Sequence, residues 1–215
     1  MFYLAKTPKW VRKLFTGSIW EMPETKKAIY LTFDDGPHPA ITQFVLEELD
    51  KYDAKATFFC IGKNVVEHPG VFKKILELGH AVGNHTHNHL NGWKTGNVKY
   101  LQNIQEARNY IDSDLFRPPY GRITSKQHKL LMQQDEPLKV VMWSVLSGDF
   151  DVSITPGKCL GNVLKNSKSG SVIVFHDSEK AFERLQYALP AVLKYFSEKG
   201  YAFEKIAFES QDLAG

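Results

Sequence analysis

The sequence has little cysteine and no long apolar run, and both features exclude whole classes of protein. Its 215 residues include only two cysteines, Cys60 and Cys159, which lie far apart and form no CxxC pair. Neither a zinc knuckle nor a disulfide framework is therefore indicated. Cys60 lies in the apolar run ATFFCIG and is expected to be a buried thiol. No segment is long and apolar enough to predict a membrane-spanning helix.

The sequence also lacks clusters of charge of one sign. Its 27 basic and 24 acidic residues are spread along the chain and give a formal net charge of +3. A nucleic-acid-binding protein would instead carry blocks of Lys and Arg, so we expect no nucleic-acid partner. The chain also lacks a linker, and 43% apolar side chains suffice for a sizeable core. We therefore expect one α/β domain, over residues 27–215, in a monomeric protein.

The first 26 residues form a basic amphipathic segment. No uninterrupted apolar core of a signal peptide occurs there, so the default expectation is a cytoplasmic protein. One side of a helix would carry the apolar residues Trp10, Val11, Leu14 and Phe15. We expect this side to pack on its own domain. The alternative is that residues 1–20 make a peripheral contact with a membrane surface or a partner.

Beyond residue 27, short β-rich runs alternate with longer stretches of helical period. This alternation is typical of βα units around a parallel sheet or barrel. Seven strands are predicted, at 28–33, 56–62, 81–86, 115–119, 140–145, 171–176 and 201–206. Six helices are predicted, at 42–52, 69–79, 98–111, 125–134, 156–166 and 179–200. Pro190 interrupts the last of these, so we expect a kink or a restart there.

Side chains capable of chemistry follow the predicted strands, at the point where each strand ends. They are Asp34, Asp35, the segment 85–89, Arg117, Asp149 and His176. In a barrel or an open α/β sheet, the C-terminal ends of the strands share one face, where functional sites are built. Asp-Gly-Pro after the first strand is also a turn sequence, but turn chemistry does not explain all of these positions.

The stretch GNHTHNHL contains His85, His87 and His89. On a helix, His85 and His89 would lie one turn apart and could chelate one ion, whereas on a strand all three would share a face. A His-rich loop is equally often a polar surface loop. A carboxylate from another strand end favours a metal site, because two imidazoles and a carboxylate leave positions for water and substrate. This ligand set suits zinc, and the alternative is the non-haem iron of an oxygenase.

Two further motifs each allow a functional and a purely structural interpretation. FRPPYG places Arg117 before two prolines, so this Arg either pairs with a carboxylate or lies on a stiff surface loop. VIVFHD ends an apolar strand with His176, which is either structural or a proton donor near neutral pH. Asp149, in SGDFD, is an acid that could orient that imidazole and raise its pKa.

Together, TFDDGP, HTHNH, RPPYG, SGDFD and VIVFHD resemble the motifs of the polysaccharide deacetylases, the carbohydrate esterases of family 4 that share the NodB homology domain. The resemblance covers about residues 27–207. It implies a distorted, TIM-barrel-like (β/α) barrel, usually of seven strands. It also implies a divalent metal, with Zn²⁺ favoured over Co²⁺, Ni²⁺ or Fe²⁺. The implied reaction removes N-acetyl groups from N-acetylglucosamine-type sugars of a carbohydrate substrate and releases acetate.

The resemblance also implies roles for individual residues. Asp35, His85 and His89 would bind the metal, and Asp34 would be the general base, held in place by Arg117. His87 occupies a variable place in the motif and is not implied as a ligand.

On the leaving-group side, His176 would be the general acid and Asp149 the acid that tunes it. Tyr120 would offer its backbone N–H to the oxyanion, and Val174 would line the pocket for the acetyl methyl group. The walls of the site would be formed by Pro118 and Pro119.

The fourth motif departs from the family pattern. Leu146 and Phe150 stand where the family usually has an acid and a tryptophan, while Asp149 is kept. This departure concerns substrate fit more than chemistry. It leaves a same-fold hydrolase of another amide or ester as the alternative, ahead of a binding-only protein.

Overall fold

Short parallel β-strands form the centre of the fold. In the computed structural model, which describes residues 3–14 and 16–208, the strands are β1 (Ala28–Asp34), β2 (Thr57–Cys60), β3 (Ala81–Asn84), β4 (Leu115–Phe116), β5 (Lys139–Val140), β6 (Val145–Leu146), β7 (Val172–His176) and β8 (Ala202–Phe203). Seven of them pair in the order β5-β4-β3-β2-β1-β7-β6, and β8 pairs with the start of β1. All of these pairs are parallel. The sheet curls into a half-barrel, which confirms the predicted distorted α/β barrel.

Helices follow most of the strands. They are α1 (Lys9–Leu14), α2 (Ile41–Asp50), α3 (Gly62–Glu67), α4 (Pro69–Glu77), α5 (Asn97–Arg108), α6 (Ser125–Met132), α7 (Pro156–Asn166) and α8 (Glu179–Glu198). The six predicted helices are confirmed as α2 and α4 to α8, whereas α3 is too short for its period to have been recognised. None of the described helices has the length and apolarity needed to cross a lipid bilayer.

Of the kink or restart predicted at Pro190, the restart is wrong, because α8 runs through this residue as one helix of 20 residues. A proline inside a helix removes one backbone hydrogen bond. The apolar face of α8 is buried along its whole length, from Ala181 to Phe196, and such packing supplies most of the stability of a helix in a protein.

The two faces of the sheet have different surroundings. In β1, Ile29, Leu31 and Phe33 belong to the large apolar core that the helices cover. The alternate residues of a strand point to the opposite face, the interior of the half-barrel. This face of β1 begins with the apolar Ala28 and Tyr30 and continues with Thr32 and Asp34, all of them buried. The interior is therefore apolar at the start of the strands and polar at their carboxyl ends.

The predicted single strand 140–145 is wrong, because it is broken into β5 and β6. The backbone between them has another partner, since the carbonyls of Val141 and Met142 accept hydrogen bonds from the guanidinium of Arg117 (3.1 and 2.9 Å). A carbonyl turned towards a side chain does not continue a regular ladder with a neighbouring strand. The interruption therefore follows from the burial of Arg117.

Residues 5–14 and 16–22 lie along the gap between β5 and β6. The N–H of Ile19 donates to the carbonyl of Val140 (2.8 Å) on one side, and the carbonyl of Ala5 accepts from Leu146 (2.9 Å) on the other. The N-terminal segment thus connects the two free edges of the half-barrel.

The side chains of α1 do not form the predicted common apolar side. Val11 packs against the described core, whereas Trp10 is 65% exposed, since consecutive residues of a helix do not face the same way. The side chain of Leu14 and all of Phe15, which the prediction also named, lie outside the described residues.

We expect the substitution Gly83→Ala to destabilise the protein by about 1–3 kcal/mol. A Cβ at this position of β3 would lie 2.5 Å from the ring of Phe59, and the guanidinium of Arg117 lies over that ring at 4.1 Å. The added methyl group must therefore displace either the strand or the ring. Urea denaturation of the purified variants measures the effect.

Gly161→Ala provides the matched control. Gly161 lies within α7 and has nothing within 4 Å of an added Cβ. Replacing a helical glycine in open space should stabilise the protein by about 0.5–1 kcal/mol. Equal stability of Gly83→Ala and the wild type would contradict the close packing of Phe59.

Candidate active site

The register of the strands places the candidate residues at one edge of the sheet. Asp34 at the end of β1 is level with His176 at the end of β7. On the other side, Asn84 of β3 pairs with Phe116 of β4, so that His85 and Arg117 each follow directly after a strand end. Carboxyl ends of parallel strands form the face on which α/β proteins build their sites. The structure therefore brings together residues that are far apart in sequence.

Asp34 and Arg117 form a buried ion pair. The Nη1 of Arg117 donates to Oδ1 of Asp34 at 2.8 Å, and the exposed fractions are 4% for Asp34 and 0% for Arg117. Arg117 also donates to Oγ1 of Thr32 (2.6 Å) and lies over the ring of Phe59. Breaking a buried pair of this kind typically costs about 3–5 kcal/mol, because it leaves an uncompensated charge. The guanidinium therefore holds Asp34 in one orientation as a carboxylate.

Asp35 turns towards the same side as Asp34, although consecutive residues of a strand point to opposite faces. Its φ of 80° lies in the left-handed region, which ends the strand and reverses the direction of its side chain. Its Oδ1 lies 3.1 Å from Nε2 of His89 and 3.7 Å from Nε2 of His85. Burial alone would raise the pKa of Asp35, but the imidazoles of His89, His176 and His85 lower it below the ordinary range.

Asp35, His85 and His89 form a group that could hold a metal ion. One ligand atom from each residue lies within 4.8 Å of the others. Oδ1 of Asp35 is buried and has no hydrogen-bond partner among the described residues, a situation that native structures rarely tolerate without a ligand. Two imidazole nitrogens and one carboxylate oxygen are typical ligands of a catalytic zinc, which keeps positions open for water or substrate. The donor set and the unsatisfied oxygen both fit a bound divalent cation.

The ring of His85 is oriented for metal binding. Its Nδ1–H donates to the carbonyl of Arg117 (2.7 Å), which leaves the lone pair of Nε2 directed at the site. Burial lowers the pKa of His85 to about 4, although the carboxylates of Asp34 and Asp35 oppose the shift. The imidazole is therefore neutral at pH 7, as a metal ligand must be.

His87 is directed away from this group. Its Nε2 lies 3.4 Å from a carboxylate oxygen of Glu106 on α5, and it is absent from the group of candidate ligands in the described part of the chain. The structure therefore places the three histidines of the motif in two different environments.

His176, which is partly buried, and Asp149, which is fully buried, form a second pair. Oδ1 of Asp149 accepts from Nδ1 of His176 at 2.8 Å, and Oδ2 accepts from the backbone N–H of the same residue at 2.7 Å. Burial alone would lower the pKa of His176, but the charge and the hydrogen bond of Asp149 raise it to about 10. The imidazole is therefore protonated at neutral pH, with Nε2 free to give up a proton.

Aromatic rings support this second pair. The ring of Phe150 meets the ring of His176 edge to face at 5.2 Å, and Tyr3 packs against Phe150 at 5.2 Å. An added Cβ at Gly148, where φ is 79°, would collide with the Tyr3 hydroxyl, so glycine is required there. Phe150, which departs from the family pattern, thus still provides an aromatic contact to His176.

The RPPYG segment forms one side of the site. Tyr120 has a φ of 61°, and its ring packs against that of His89 at 4.7 Å. The turn uses the N–H groups of Gly121 and Arg122 for its own hydrogen bonds. Among the described residues, the N–H of Tyr120 has no acceptor. The two residues before it, Pro118 and Pro119, are buried.

Val174 lies on the interior face of β7, two residues before His176. It is 1% exposed and pairs in register with Leu146 of β6. The predicted roles of Val174, of the two prolines and of the Tyr120 N–H remain predictions, since they concern a bound substrate.

The sequence interpretation missed the residues that hold the site loops in place. Asp177 accepts from the N–H of Gly36 (3.0 Å) and from the hydroxyl of Thr42, and its own N–H donates to the carbonyl of Asp34 (3.1 Å). Burial raises the pKa of Asp177 to about 7, although the hydrogen bond from Thr42 by itself lowers this pKa. In the sequence, His176 and Asp177 stand out as two polar residues at the end of an apolar strand. The contact of Asp177 with a loop 141 residues away in sequence is visible only in the fold.

The fourth motif has similar supports. Nε of Arg184 on α8 donates to the carbonyl of Asp149 (2.7 Å), and Nδ2 of Asn162 on α7 donates to the carbonyl of Ser147 (2.9 Å). Both side chains lie on helices of ordinary amphipathic period, so no local signal distinguished them.

Comparison with known proteins identifies the family. The model of the polysaccharide deacetylase family matches residues 21–135. This chain belongs to the polysaccharide deacetylase family. It is 34% identical over 200 residues to a peptidoglycan-N-acetylglucosamine deacetylase of Bacillus cereus, a match that covers 89% of this chain and 92% of that protein.

Two further comparisons agree with this membership. A chitooligosaccharide deacetylase of Azorhizobium caulinodans is 32% identical over 168 residues, which cover 75% of this chain and 79% of that protein. The crystal structure of a peptidoglycan N-acetylglucosamine deacetylase in complex with 4-naphthalen-1-yl-N-oxidanyl-benzamide superposes with a TM-score of 0.84 at 32% identity. That match covers 93% of this chain and 95% of the other. The polysaccharide deacetylase thus shares nearly its whole fold with a solved relative.

We expect the substitution Asp149→Asn to lower the pKa of His176 by more than one unit. The wild-type pKa is raised to about 10 by the charge of Asp149 against the effect of burial, and asparagine removes that charge. The ion pair stabilises the fold below the ordinary histidine pKa of about 6.5, and this contribution is lost as the pH rises through the raised value. NMR titration of the imidazole signals in metal-free protein measures the shift, and His176→Gln assigns the signal. An unchanged titration would contradict the proposed influence of Asp149.

Proposed function

We propose that this polysaccharide deacetylase is a metal-dependent hydrolase that removes the acetyl group from N-acetylglucosamine residues of a glycan and releases acetate and a free amine. One observation carries the proposal. A carboxylate paired with Arg117 and an imidazolium paired with Asp149 flank the candidate metal site formed by Asp35, His85 and His89. Groups whose environments favour opposite protonation states are what a base and an acid require.

Zinc is the proposed cation, held by Nε2 of His85, Nε2 of His89 and a carboxylate oxygen of Asp35. A bound zinc ion would polarise the acetyl carbonyl and lower the pKa of a water molecule. The neutral state of His85 favours this assignment, because a protonated imidazole offers no lone pair.

Asp34 is the proposed general base. Its Oδ1 is occupied by Arg117, which fixes the plane of the carboxylate and leaves Oδ2 to accept the proton of the attacking water. Arg117 is held by the carbonyls of Val141 and Met142, so the orientation of the base does not depend on solvent. Holding the base in position before the substrate binds avoids the cost of ordering it during the reaction.

His176 is the proposed general acid. The amide nitrogen must receive a proton before it leaves, because an amide anion is a poor leaving group. The imidazolium of His176 carries that proton on Nε2, while its Nδ1–H stays hydrogen-bonded to Asp149. The N–H of Tyr120 is the proposed donor to the oxyanion, and such a preorganised donor is worth about 3 kcal/mol in the transition state.

The peptidoglycan N-acetylglucosamine residue is the first substrate to test, because the Bacillus cereus relative named for it matches nearly the full length of both chains. Zinc-loaded protein is incubated with peptidoglycan fragments, N-acetylglucosamine oligomers and aryl acetates, and released acetate is measured. Acetate from the acetylated sugars supports the proposal. Release from aryl acetates alone would favour the alternative of an esterase with the same fold.

Two substitutions separate the base from the metal ligands. Asp34→Asn should keep the bound metal but lower kcat at least about 100-fold, within the usual range for a lost general base. His85→Ala should lose both metal and turnover, because it removes one of three ligands. Metal content by mass spectrometry and acetate release measure the two effects.

His87→Ala is the matched control for His85→Ala. It lies in the same motif but is directed at Glu106, so the variant should keep its metal. Wild-type turnover of Asp34→Asn would remove Asp34 from the role of base.

The pH dependence of kcat/KM should be bell-shaped. Activity should rise on the acidic side, because metal binding requires His85 as the neutral imidazole and proton removal requires a carboxylate as the base. It should fall on the alkaline side as His176 loses its proton, at a pH above the ordinary range of histidine because Asp149 raises the pKa to about 10. The Asp149→Asn variant should show its alkaline decline at lower pH. A rate that stays constant from acid to alkaline pH would rule out this pair of groups.

A further inference from the structure

Trp93 is an exposed tryptophan on the loop that carries the histidine motif. This loop connects β3 to α5, and the indole of Trp93 is 60% exposed. The side chain is nevertheless held firmly, since its Nε1–H donates to the carbonyl of Ile123 (3.1 Å) and its backbone N–H donates to the side chain of Asn91 (3.1 Å). An exposed indole with a fixed orientation loses little conformational entropy when a ligand covers it.

The loop beneath Trp93 is anchored to the segment that follows RPPYG. Gly92 donates to the carbonyl of Arg122 (3.1 Å). The buried side chain of Gln127 donates to the carbonyls of Gly92 and Thr95 (2.9 and 3.1 Å). A Cβ at Gly92 would lie 2.4 Å from the Arg122 carbonyl oxygen, so the two segments are in close contact. The position of Trp93 relative to the site is therefore set by packing and hydrogen bonds.

Trp93 is linked to the candidate metal site through contacts of Tyr120 and Arg122. The ring of Tyr120, 60% exposed, packs on His89, and two residues later the guanidinium of Arg122 lies 5.1 Å from the Trp93 ring. His89 and Trp93 are only four residues apart in sequence, so their Cα atoms are separated by at most about 14 Å. A few linked sugars can span such a distance.

The exposed part of the indole fits a sugar ring. The guanidinium of Arg122 lies over the ring of Trp93, and 60% of the residue nevertheless remains exposed. Pyranose rings carry C–H groups on their faces, and these pack on the electron-rich face of an aromatic ring. The N–H groups of Arg122 beside the ring are donors for sugar hydroxyl oxygens.

We propose that Trp93, with Tyr120 and Arg122, forms a glycan-binding subsite for a sugar unit that neighbours the unit being deacetylated. The proposal rests on the proposed function, because it requires a glycan substrate. Exposed tryptophans also occur singly on protein surfaces without a partner. Trp10 on α1 is 65% exposed and belongs to neither of these loops, which makes it the matched control.

The experiment compares N-acetylglucosamine oligomers from dimer to hexamer with the zinc-loaded wild-type protein and the variants Trp93→Ala, Trp93→Phe and Trp10→Ala. In the wild type, kcat/KM should increase with oligomer length. In Trp93→Ala, the ratio of kcat/KM between hexamer and dimer should fall about tenfold. This is the effect expected when one aromatic contact with the sugar, and the apolar area that the contact buries, are lost. The loss should appear mainly in KM. Trp93→Phe should keep most of the ratio, and Trp10→Ala all of it.

Tryptophan fluorescence provides a readout that does not depend on turnover. Covering an exposed indole with a sugar should shift the emission of metal-free protein to shorter wavelength on titration with the hexamer. The shift should be lost in Trp93→Phe and kept in Trp10→Ala. Circular dichroism of each variant checks that it is folded.

The outcomes distinguish the subsite from the proposed function. Unchanged length dependence and an unchanged spectral shift in the Trp93 variants would overturn the subsite. A spectral shift that depends on Trp93, without acetate release from any oligomer by the wild type, would support the subsite and overturn the proposed function. Neither binding nor acetate release by the wild type would overturn both.

Discussion

The buried guanidinium of Arg117 is the interaction on which the rest of the site depends. A fully buried cation requires a carboxylate and several acceptors, and Arg117 finds them in Asp34, Thr32 and the carbonyls of two residues after β5. Those carbonyls are the reason why β5 and β6 are separate strands. The carbonyl of Arg117 itself accepts from His85 and thereby orients a candidate metal ligand. One side chain and its backbone thus connect the proposed base, the candidate metal site and the break in the sheet.

The loops around this ion pair adopt costly backbone conformations. Asp35, Thr86, His89 and Tyr120 all have positive φ, which costs about 1–3 kcal/mol each for residues other than glycine. Such conformations persist only where the surroundings hold them, and here the supports are side chains such as Asp177 on Gly36 and Asn103, which accepts from the backbone N–H groups of His87 and Asn88. These conformations fix the proposed acid, base and metal ligands in position before any substrate arrives. Part of the free energy of folding thus maintains a fixed geometry of the site.

Helices and strands could be predicted from the sequence wherever a local pattern of residues determines them. The apolar period of α7 and α8 and the β-rich runs of β1 and β7 predicted these elements closely, because burial of one face or of a whole strand leaves a regular pattern. The prediction was wrong at residues 140–145, since the side chain that breaks this strand is Arg117 of another strand end. It was also wrong about a restart at Pro190, where packing of the helix outweighs the loss of one hydrogen bond. Both errors concern positions where tertiary contacts override local preference.

The sequence by itself determined the chemical groups of this polysaccharide deacetylase and the strand ends that carry them. Asp34, Asp35, the histidine motif, Arg117 and His176 were all recognisable, since apolar strands that end in acids, imidazoles or a guanidinium are local features. Only the tertiary structure decided that Asp35 turns to the side of Asp34, that Arg117 reaches Asp34, and that His87 faces Glu106 instead of the metal site. These relations depend on left-handed backbone conformations and on strand register, and neither of these produces a periodic pattern in the sequence.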